Sequence, residues 1–146
     1  MKDRYLFKAK RVDNGEWVQG VPFEIEGKTV ILIKDNENLL RTHYLEENMW
    51  TAEIYAIEVD SSTICQCTGL KDKNGKLIWE KDIMVAHLDD DYPEDETYIR
   101  IMWHESGFCS KENGSEDIIP IDKFDREHFE VCGNIFDNPD LLELEV

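Results

Sequence analysis

The sequence predicts a mainly β fold with short helices, on three observations. Apolar and polar residues alternate at period two along much of the chain, as in half-buried strands. Asn-Gly and similar turn pairs separate these runs. Segments with helical spacing are few and short. We therefore expect a β-meander followed by a small barrel-like unit, with a short helix at the C-terminus.

The opening third predicts a three-stranded meander. Its first strand covers residues 5–9, an Asp-Asn-Gly turn at 13–15 follows, and the second strand covers 17–25. Residues 26–28 turn the chain into a third strand at 29–33. Pro22 lacks an N–H donor, which suits an edge or a bulge. The apolar residues that share one face of the second strand are Trp17, Val21, Phe23 and Ile25.

Three more strands are predicted at residues 54–59, 83–88 and 98–103. In the last of them Ile99, Ile101 and Trp103 fall on one face.

Helix signals are confined to three places. Leu39 to Trp50 could hold one short helix, and Asp122 to His128 another turn or two. The C-terminus shows the clearest signal, with Asn138 as N-cap, Pro139 in the first turn and Asp140 near the positive end of the helix dipole.

The length of 146 residues fits one domain that can bury a core without staples. We expect two lobes within it, at residues 1–60 and 61–146. No apolar run is long enough to span a membrane, and the start, MKDRYLFKAKRV, has no apolar signal-peptide core. The expected compartment is the cytoplasm, where thiols stay reduced.

Acidic residues dominate the charge, which is −17 from 33 Asp and Glu against 16 Lys and Arg. This sign opposes direct binding to nucleic acid and to anionic membranes. The simplest interpretation is a well-solvated surface, and the alternative is an acidic mimic of DNA that occupies a basic partner. The acidic segment from Asp89 to Glu96 predicts a solvated, mobile loop.

The stretch LKDKNGKLIWEKDI, Leu70 to Ile83, resembles both a calcium loop and a hairpin turn. With Gly75 at position 6 of a calcium loop, Leu70 and Lys81 fall at positions 1 and 12, where carboxylates are required. The turn needs only Asn74-Gly75 between apolar flanks. We therefore predict a hairpin, in which Gly75→Val costs more stability than Asp72→Ala.

The four cysteines give no metal-site spacing. Cys65 and Cys67 would share a face of a strand, while Cys109 and Cys132 stand alone. Zinc sites usually place Cys-x₂₋₄-Cys pairs in tight turns, so buried cysteines acting as small hydrophobes are expected instead.

No catalytic pattern is found. The histidines, His43, His87, His104 and His128, form none of the known zinc or Cys-His signatures. His87 would follow Ile83 and Val85 on one face and is expected to be half-buried. No phosphate loop and no nucleophile motif is present, so we predict a protein that is not an enzyme, with no catalytic, cofactor-binding or metal-binding residues and no cofactor.

Three stretches of the chain resemble the YopX family of phage and prophage proteins. They are RYLFKAKRVDNGEWVQG, SSTICQCTGLKDKNGKLIWEKDIMV and VCGNIFDNPDLLE, and they occur in the family's order. The resemblance implies a mostly β protein encoded by a phage or prophage, without an assigned activity. The chain departs from the family pattern at Lys81 and Cys65, where the family usually has glycine, and at Cys67, where it usually has an aromatic residue.

The function expected first is a non-enzymatic phage accessory protein that acts through protein–protein contacts, with homo-oligomers as one form of contact. This expectation rests on the resemblance, the missing catalytic patterns and the strand edges available for pairing. The second is the acidic mimic of nucleic acid. The third and weakest is a small-molecule binder or enzyme with a site built from aromatic residues.

Overall fold

The computed structural model describes residues 6–33, 42–47, 49–52 and 55–142. Its described residues divide into two compact units, one within Tyr5–Cys65 and one within Gln66–Val146. The predicted division into two lobes, at residues 1–60 and 61–146, stays a prediction.

The described residues contain thirteen strands and one short α-helix. The strands of the first unit are β1 (Phe7–Lys10), β2 (Trp17–Ile25), β3 (Lys28–Ile33), β4 (Thr42–Glu46), β5 (Met49–Ala52) and β6 (Tyr55–Glu58). From the unit boundary onward follow β7 (Cys65–Lys71), β8 (Leu77–Trp79), β9 (Asp82–Ala86), β10 (Thr97–His104), β11 (Gly107–Glu112), β12 (Ile118–Pro120) and β13 (Glu130–Asn134). The helix α1 spans Lys123–His128, and single 3₁₀ turns span Ser61–Thr63 and Pro139–Leu141.

In the first unit four antiparallel strands lie in the order β6-β3-β2-β1, which confirms the predicted meander. The turn at 13–15 closes with Gly15 at φ +72°. The core lies on one face of this sheet, where Ala9, Ile31 and Val59 are buried and contact half-buried Phe7 and Val18.

The β2–β3 turn has only two residues, since Ile25 pairs with Lys28. Both of them, Glu26 and Gly27, have positive φ, at 50° and 78°. This is the backbone of a type I′ turn, whose twist matches the twist of the flanking strands. Glycine adopts it freely, whereas glutamate is strained there.

Pro22 lies where the prediction requires. The pairing of β1 with β2 ends at Gly20, so the segment around Pro22 pairs with β3 alone among the described residues. On the side of β2 that faces β1, the N–H donor that Pro22 lacks therefore breaks no hydrogen bond of the described sheet.

The second unit is built on an open antiparallel sheet with the order β12-β11-β10-β9-β13. Within the described chain β12 and β13 are its two edges, so the predicted barrel-like closure is wrong. The edge strand β12 has only three residues and pairs with three of the six residues of β11. The core residues that pack together here are Ile78, Met84, Ala86, Ile99, Ile101 and Phe129.

Of the three helix predictions one is wrong, one is confirmed, and the C-terminal helix is not confirmed. Residues 42–46 and 49–52 form an antiparallel strand pair instead of a helix, because pairing of backbone groups outweighs weak local helix propensity; the rest of that prediction lies outside the described residues. In the described part of the C-terminus only the 3₁₀ turn Pro139–Leu141 forms, without a side-chain cap from Asn138. The predicted turn or two near 122–128 is α1, closed by a capping box between Asp122 and Asp125.

Among the described residues no helix is long and apolar enough to cross a membrane.

Candidate protein-interaction surface

Three large apolar side chains lie exposed in a row along β2. Val21, Phe23 and Ile25 are 54%, 57% and 41% exposed, and their alternate positions place them on one face of the strand. We call them the β2 row. The sequence correctly predicted that these side chains share one face of β2. That face is the solvent side of the sheet, because Ile31 and Ala9 build the core on the other face.

Apolar residues of β3 extend the β2 row sideways. Leu32 pairs with Val21, and Val30 pairs with Phe23, so their side chains lie beside the row on the same face. Val30 is buried and Leu32 is half-buried. Of these two residues only Leu32 adds exposed apolar surface beside the row.

Lysines border this surface. Lys8 and Lys10 lie over the Trp17 ring, with their ammonium groups 4.8 Å and 5.4 Å from its centroid. At the other end Lys28 pairs with Ile25 and lies 3.7 Å from the Glu58 carboxylate. These rim lysines, Lys8, Lys10 and Lys28, give a cationic border to one face of a chain whose net charge is −17.

The segment 70–83 forms the predicted hairpin between β7 and β8. Gly75 has φ +82°, and its N–H donates to the carbonyl oxygen of Asp72 at 3.0 Å. The hairpin interpretation is therefore confirmed, with Asn74-Gly75 in the turn.

Asp72 is the organising residue of this hairpin, a role that the sequence analysis missed. Its carboxylate is only 6% exposed. One oxygen accepts from the N–H groups of Asn74 and Lys76, both at 2.9 Å, and the other accepts from Val131 N–H at 2.9 Å. The carboxylate thus joins the hairpin turn to β13, 59 residues away. The Asp-x-Asn-Gly pattern is the available signal, because an aspartate before such a turn commonly caps its amides.

Two more bonds reinforce the same junction. The Asn74 side-chain amide donates to Glu130 at 2.8 Å, and Lys73 N–H donates to the carbonyl oxygen of Phe129 at 3.2 Å. The hairpin turn is therefore fixed against the start of β13.

Lys81 has φ +70°, in the left-handed region that favours glycine. Lys81 therefore carries backbone strain that glycine, the residue implied here by the resemblance, would not. The next residue, Asp82, is buried, and its carboxylate accepts from Trp79 N–H at 2.8 Å.

All the side chains of the acidic segment from Asp89 to Glu96 are exposed, as predicted. Local hydrogen bonds shape the segment: Asp89 accepts from Asp91 N–H at 2.9 Å, and His87 Nδ1 donates to the carbonyl oxygen of Pro93 at 2.7 Å. Its mobility stays a prediction. The loop borders a cleft of about 570 Å³ lined by Asp89, Asp90, Asp91 and Asp95 with Leu88 and Thr97.

Tyr98 follows the acidic segment and donates its hydroxyl to Glu96. This hydrogen bond, with burial and the nearby carboxylate charge, raises the pKa of Tyr98 to about 12. The neutral phenol is therefore favoured in the folded state.

Three of the four cysteines are buried, namely Cys65, Cys67 and Cys109, while Cys132 is exposed. All four are free thiols. Although Cys132 as a residue is exposed, partial desolvation of its thiol is the main cause that raises its pKa, and the thiol donates to the carbonyl oxygen of Ile83 at 3.4 Å.

The described histidines lie apart from one another along the chain. His87 is exposed, so the expectation of half-burial is wrong: β9 ends at Ala86, and the ring turns toward the acidic loop. His104 lies 3.8 Å from Glu105, and His128 stacks on Phe124 with ring centroids 4.0 Å apart. The side chain of His43, on β4, lies outside the described part of the chain.

Within residues 6–33, 42–47, 49–52 and 55–142 no group of three or more His, Cys, Asp or Glu side chains has the geometry of a metal site. The prediction that the protein lacks catalytic, cofactor and metal residues stays a prediction.

Comparison with known proteins gives a family and a structural neighbour. The crystal structure of protein EF1440 from Enterococcus faecalis resembles this fold with a TM-score of 0.56 at 22% sequence identity, over 93% of this chain and 96% of that one. None of the curated proteins compared with the chain matches it. The family described as YopX protein matches residues 6–143. The chain therefore belongs to the YopX family.

Proposed function

We propose that this protein is a non-enzymatic accessory protein of a phage or prophage that acts through protein–protein contacts. We further propose that its β2 row is the contact surface and that a second copy of the chain is the first partner. The proposal includes action in the cytoplasm of the bacterial host, where the four free cysteines stay reduced.

The exposure of the β2 row carries the proposal. Large apolar patches on the surface of a folded protein mark interaction sites more often than chance allows. The row spans four residue steps, roughly 13 Å at 3.3 Å per residue, and Leu32 widens it. An aromatic ring at its centre, Phe23, is the kind of side chain that anchors protein interfaces.

Charge supports a second copy as the partner. The rim lysines lie at the two ends of the row, and Glu58, which pairs with Val30 and lies 3.7 Å from Lys28, borders the same surface. When the rows of two copies meet, Glu58 of one copy therefore offers a carboxylate to the rim lysines of the other. The net charge of −17 makes the two copies repel one another at long range, so the contact depends on apolar burial and is weakened at low salt.

Sedimentation velocity over a concentration series tests this proposal. The parent protein is expected to pass from monomer to dimer as its concentration rises. Phe23→Ser should raise the dissociation constant at least about tenfold, since an interface anchor commonly contributes 2 kcal/mol or more. The matched control is Tyr92→Ser, which removes an equally exposed aromatic residue from the acidic loop.

A parent protein that stays monomeric at every concentration would contradict the self-association. Equal effects of Phe23→Ser and Tyr92→Ser would contradict the role of the β2 row. The acidic-mimic alternative rests on net charge and on the exposed acidic loop, and binding of a basic DNA-binding protein that DNA displaces would favour it instead.

A further inference from the structure

Four cations gather around one cleft of about 380 Å³ in the second unit. We call this the cationic cleft; its cations are Lys71, Lys73, Lys123 and Arg126, and its two carboxylates are Asp72 and Glu127. The chain has only 16 Lys and Arg against 33 Asp and Glu, so a quarter of its cations line this one place.

The hydrogen bonds of the hairpin create this arrangement. Lys73 N–H donates to Phe129, the residue that follows α1, and Asp72 accepts from Val131 on β13. These bonds hold the hairpin turn beside α1. On the helix, Lys123 and Arg126 are three residues apart and therefore share a side.

The carboxylates of the cleft are already engaged, whereas most of its cations are not. Asp72 is buried and accepts from three backbone amides. Glu127 lies 3.6 Å from Lys123, in an exposed pair four residues apart. No hydrogen bond or ion pair joins the side chains of Lys71, Lys73 or Arg126 to another described residue.

We propose that the cationic cleft binds a compact phosphate-bearing anion, of the size of pyrophosphate or the diphosphate group of a nucleotide. A planar guanidinium with several ammonium groups is the usual set of ligands for phosphate oxygens. The cleft is large enough for such a group. A net charge of −17 repels an extended polyanion such as nucleic acid, and this favours a small anion, because a short ligand meets only the local positive field.

Isothermal titration calorimetry with inorganic pyrophosphate tests the proposal at ionic strength matched with chloride. Saturable binding of one pyrophosphate per chain is expected. Lys73→Gln and Arg126→Gln should each weaken it about tenfold, because a hydrogen bond between charged groups is worth about 1.5 kcal/mol or more. Arg11→Gln, in the other unit, removes a cation outside the cleft that pairs with Asp13 and should leave binding unchanged.

Glu127→Gln should change the affinity for pyrophosphate in the opposite direction. It releases Lys123 from its carboxylate partner and removes a negative charge from the cleft, so affinity should rise several-fold. A misfolded variant cannot produce a gain, which keeps this arm informative. Binding that does not saturate, a loss with Arg11→Gln equal to that with Arg126→Gln, or a weaker complex with Glu127→Gln would overturn the proposal. Titration with ADP in place of pyrophosphate then distinguishes a nucleotide from a free anion.

Discussion

Replacing Asp72 with alanine tests the hairpin junction directly. The substitution removes the acceptor of three backbone N–H groups, those of Asn74, Lys76 and Val131, each at 2.9 Å. It therefore loosens the turn itself and its connection to β13. From the sequence alone Gly75→Val was predicted to cost more stability than Asp72→Ala, and on the strength of these three bonds we now expect the opposite order.

The expected cost follows from the environment of each donor. A hydrogen bond to a charged acceptor contributes about 1.5–3 kcal/mol. Asn74 and Lys76 are exposed, so water recovers part of what their amides lose, while Val131 is half-buried and recovers less. We expect Asp72→Ala to lower the free energy of unfolding by about 3–5 kcal/mol in total. Asp72→Asn should cost less, since it keeps one oxygen acceptor.

Urea titration followed by tryptophan fluorescence measures this change, and Trp79 on β8 lies in the affected hairpin. The matched control is Asp89→Ala. Asp89 also accepts from two backbone amides, those of Asp91 and Tyr92, but in an exposed loop. The control should lose less than about 1 kcal/mol. Equal losses for the two alanine variants, or a loss below 1 kcal/mol for Asp72→Ala, would refute the claim that Asp72 organises the hairpin.

Three other predictions concern backbone strain, pH and charge. Glu26→Asn should stabilise the first unit by about 0.5–1 kcal/mol, because Asn-Gly suits the type I′ turn that Glu26 and Gly27 now form. The control Glu26→Gln removes the same charge but keeps the backbone strain at positive φ. An equal gain in melting temperature for both variants would contradict this prediction. Because the pKa of Tyr98 is raised to about 12, its hydrogen bond to Glu96 stabilises the fold fully below pH 10 and progressively less as pH rises through 12. The melting temperature of Tyr98→Phe should therefore change less between pH 10 and 12 than that of the parent protein. An equal change in both proteins would contradict this prediction. Replacing four carboxylates of the acidic loop with Ser and Asn should raise the free energy of unfolding by a few tenths of a kcal/mol at low salt. The gain should be smaller at high salt, since screening removes the repulsion between the carboxylates. A selective, saturable rise in the melting temperature of the parent protein with Mg²⁺ or Ca²⁺ would instead indicate cation binding. The carboxylates changed in that variant are Asp90, Asp91, Glu94 and Asp95.

The sequence predicted those elements whose signals are local. Period-two alternation and Asn or Gly in tight turns placed the first-unit meander, the β7–β8 hairpin and β10, because each needs only its own residues and a near neighbour. The confirmed helix near 122–128 likewise depends on a local capping box. The strand pair β4–β5 was mistaken for a helix, since partners rather than propensity determine the state of a short ambiguous segment.

Features that depend on distant pairing were not predicted. The order β12-β11-β10-β9-β13 leaves the sheet open, and nothing in the strand pattern alone distinguishes an open sheet from a closed one. The cationic cleft joins residues near 72 and near 125, which are far apart in the sequence. The β2 row was recognised as one face, but alternation cannot tell which face of a sheet is covered.

The salt dependence of self-association tests the central claim most directly. Contact through the β2 row buries apolar surface between two chains that each carry −17, so screening should strengthen it. We expect the dimer dissociation constant, measured by sedimentation velocity, to fall as NaCl rises, and Phe23→Ser to raise it at least about tenfold at both low and high salt. A dissociation constant that rises with NaCl and is unaffected by Phe23→Ser would show that charge pairing elsewhere holds the copies together, and would contradict the account.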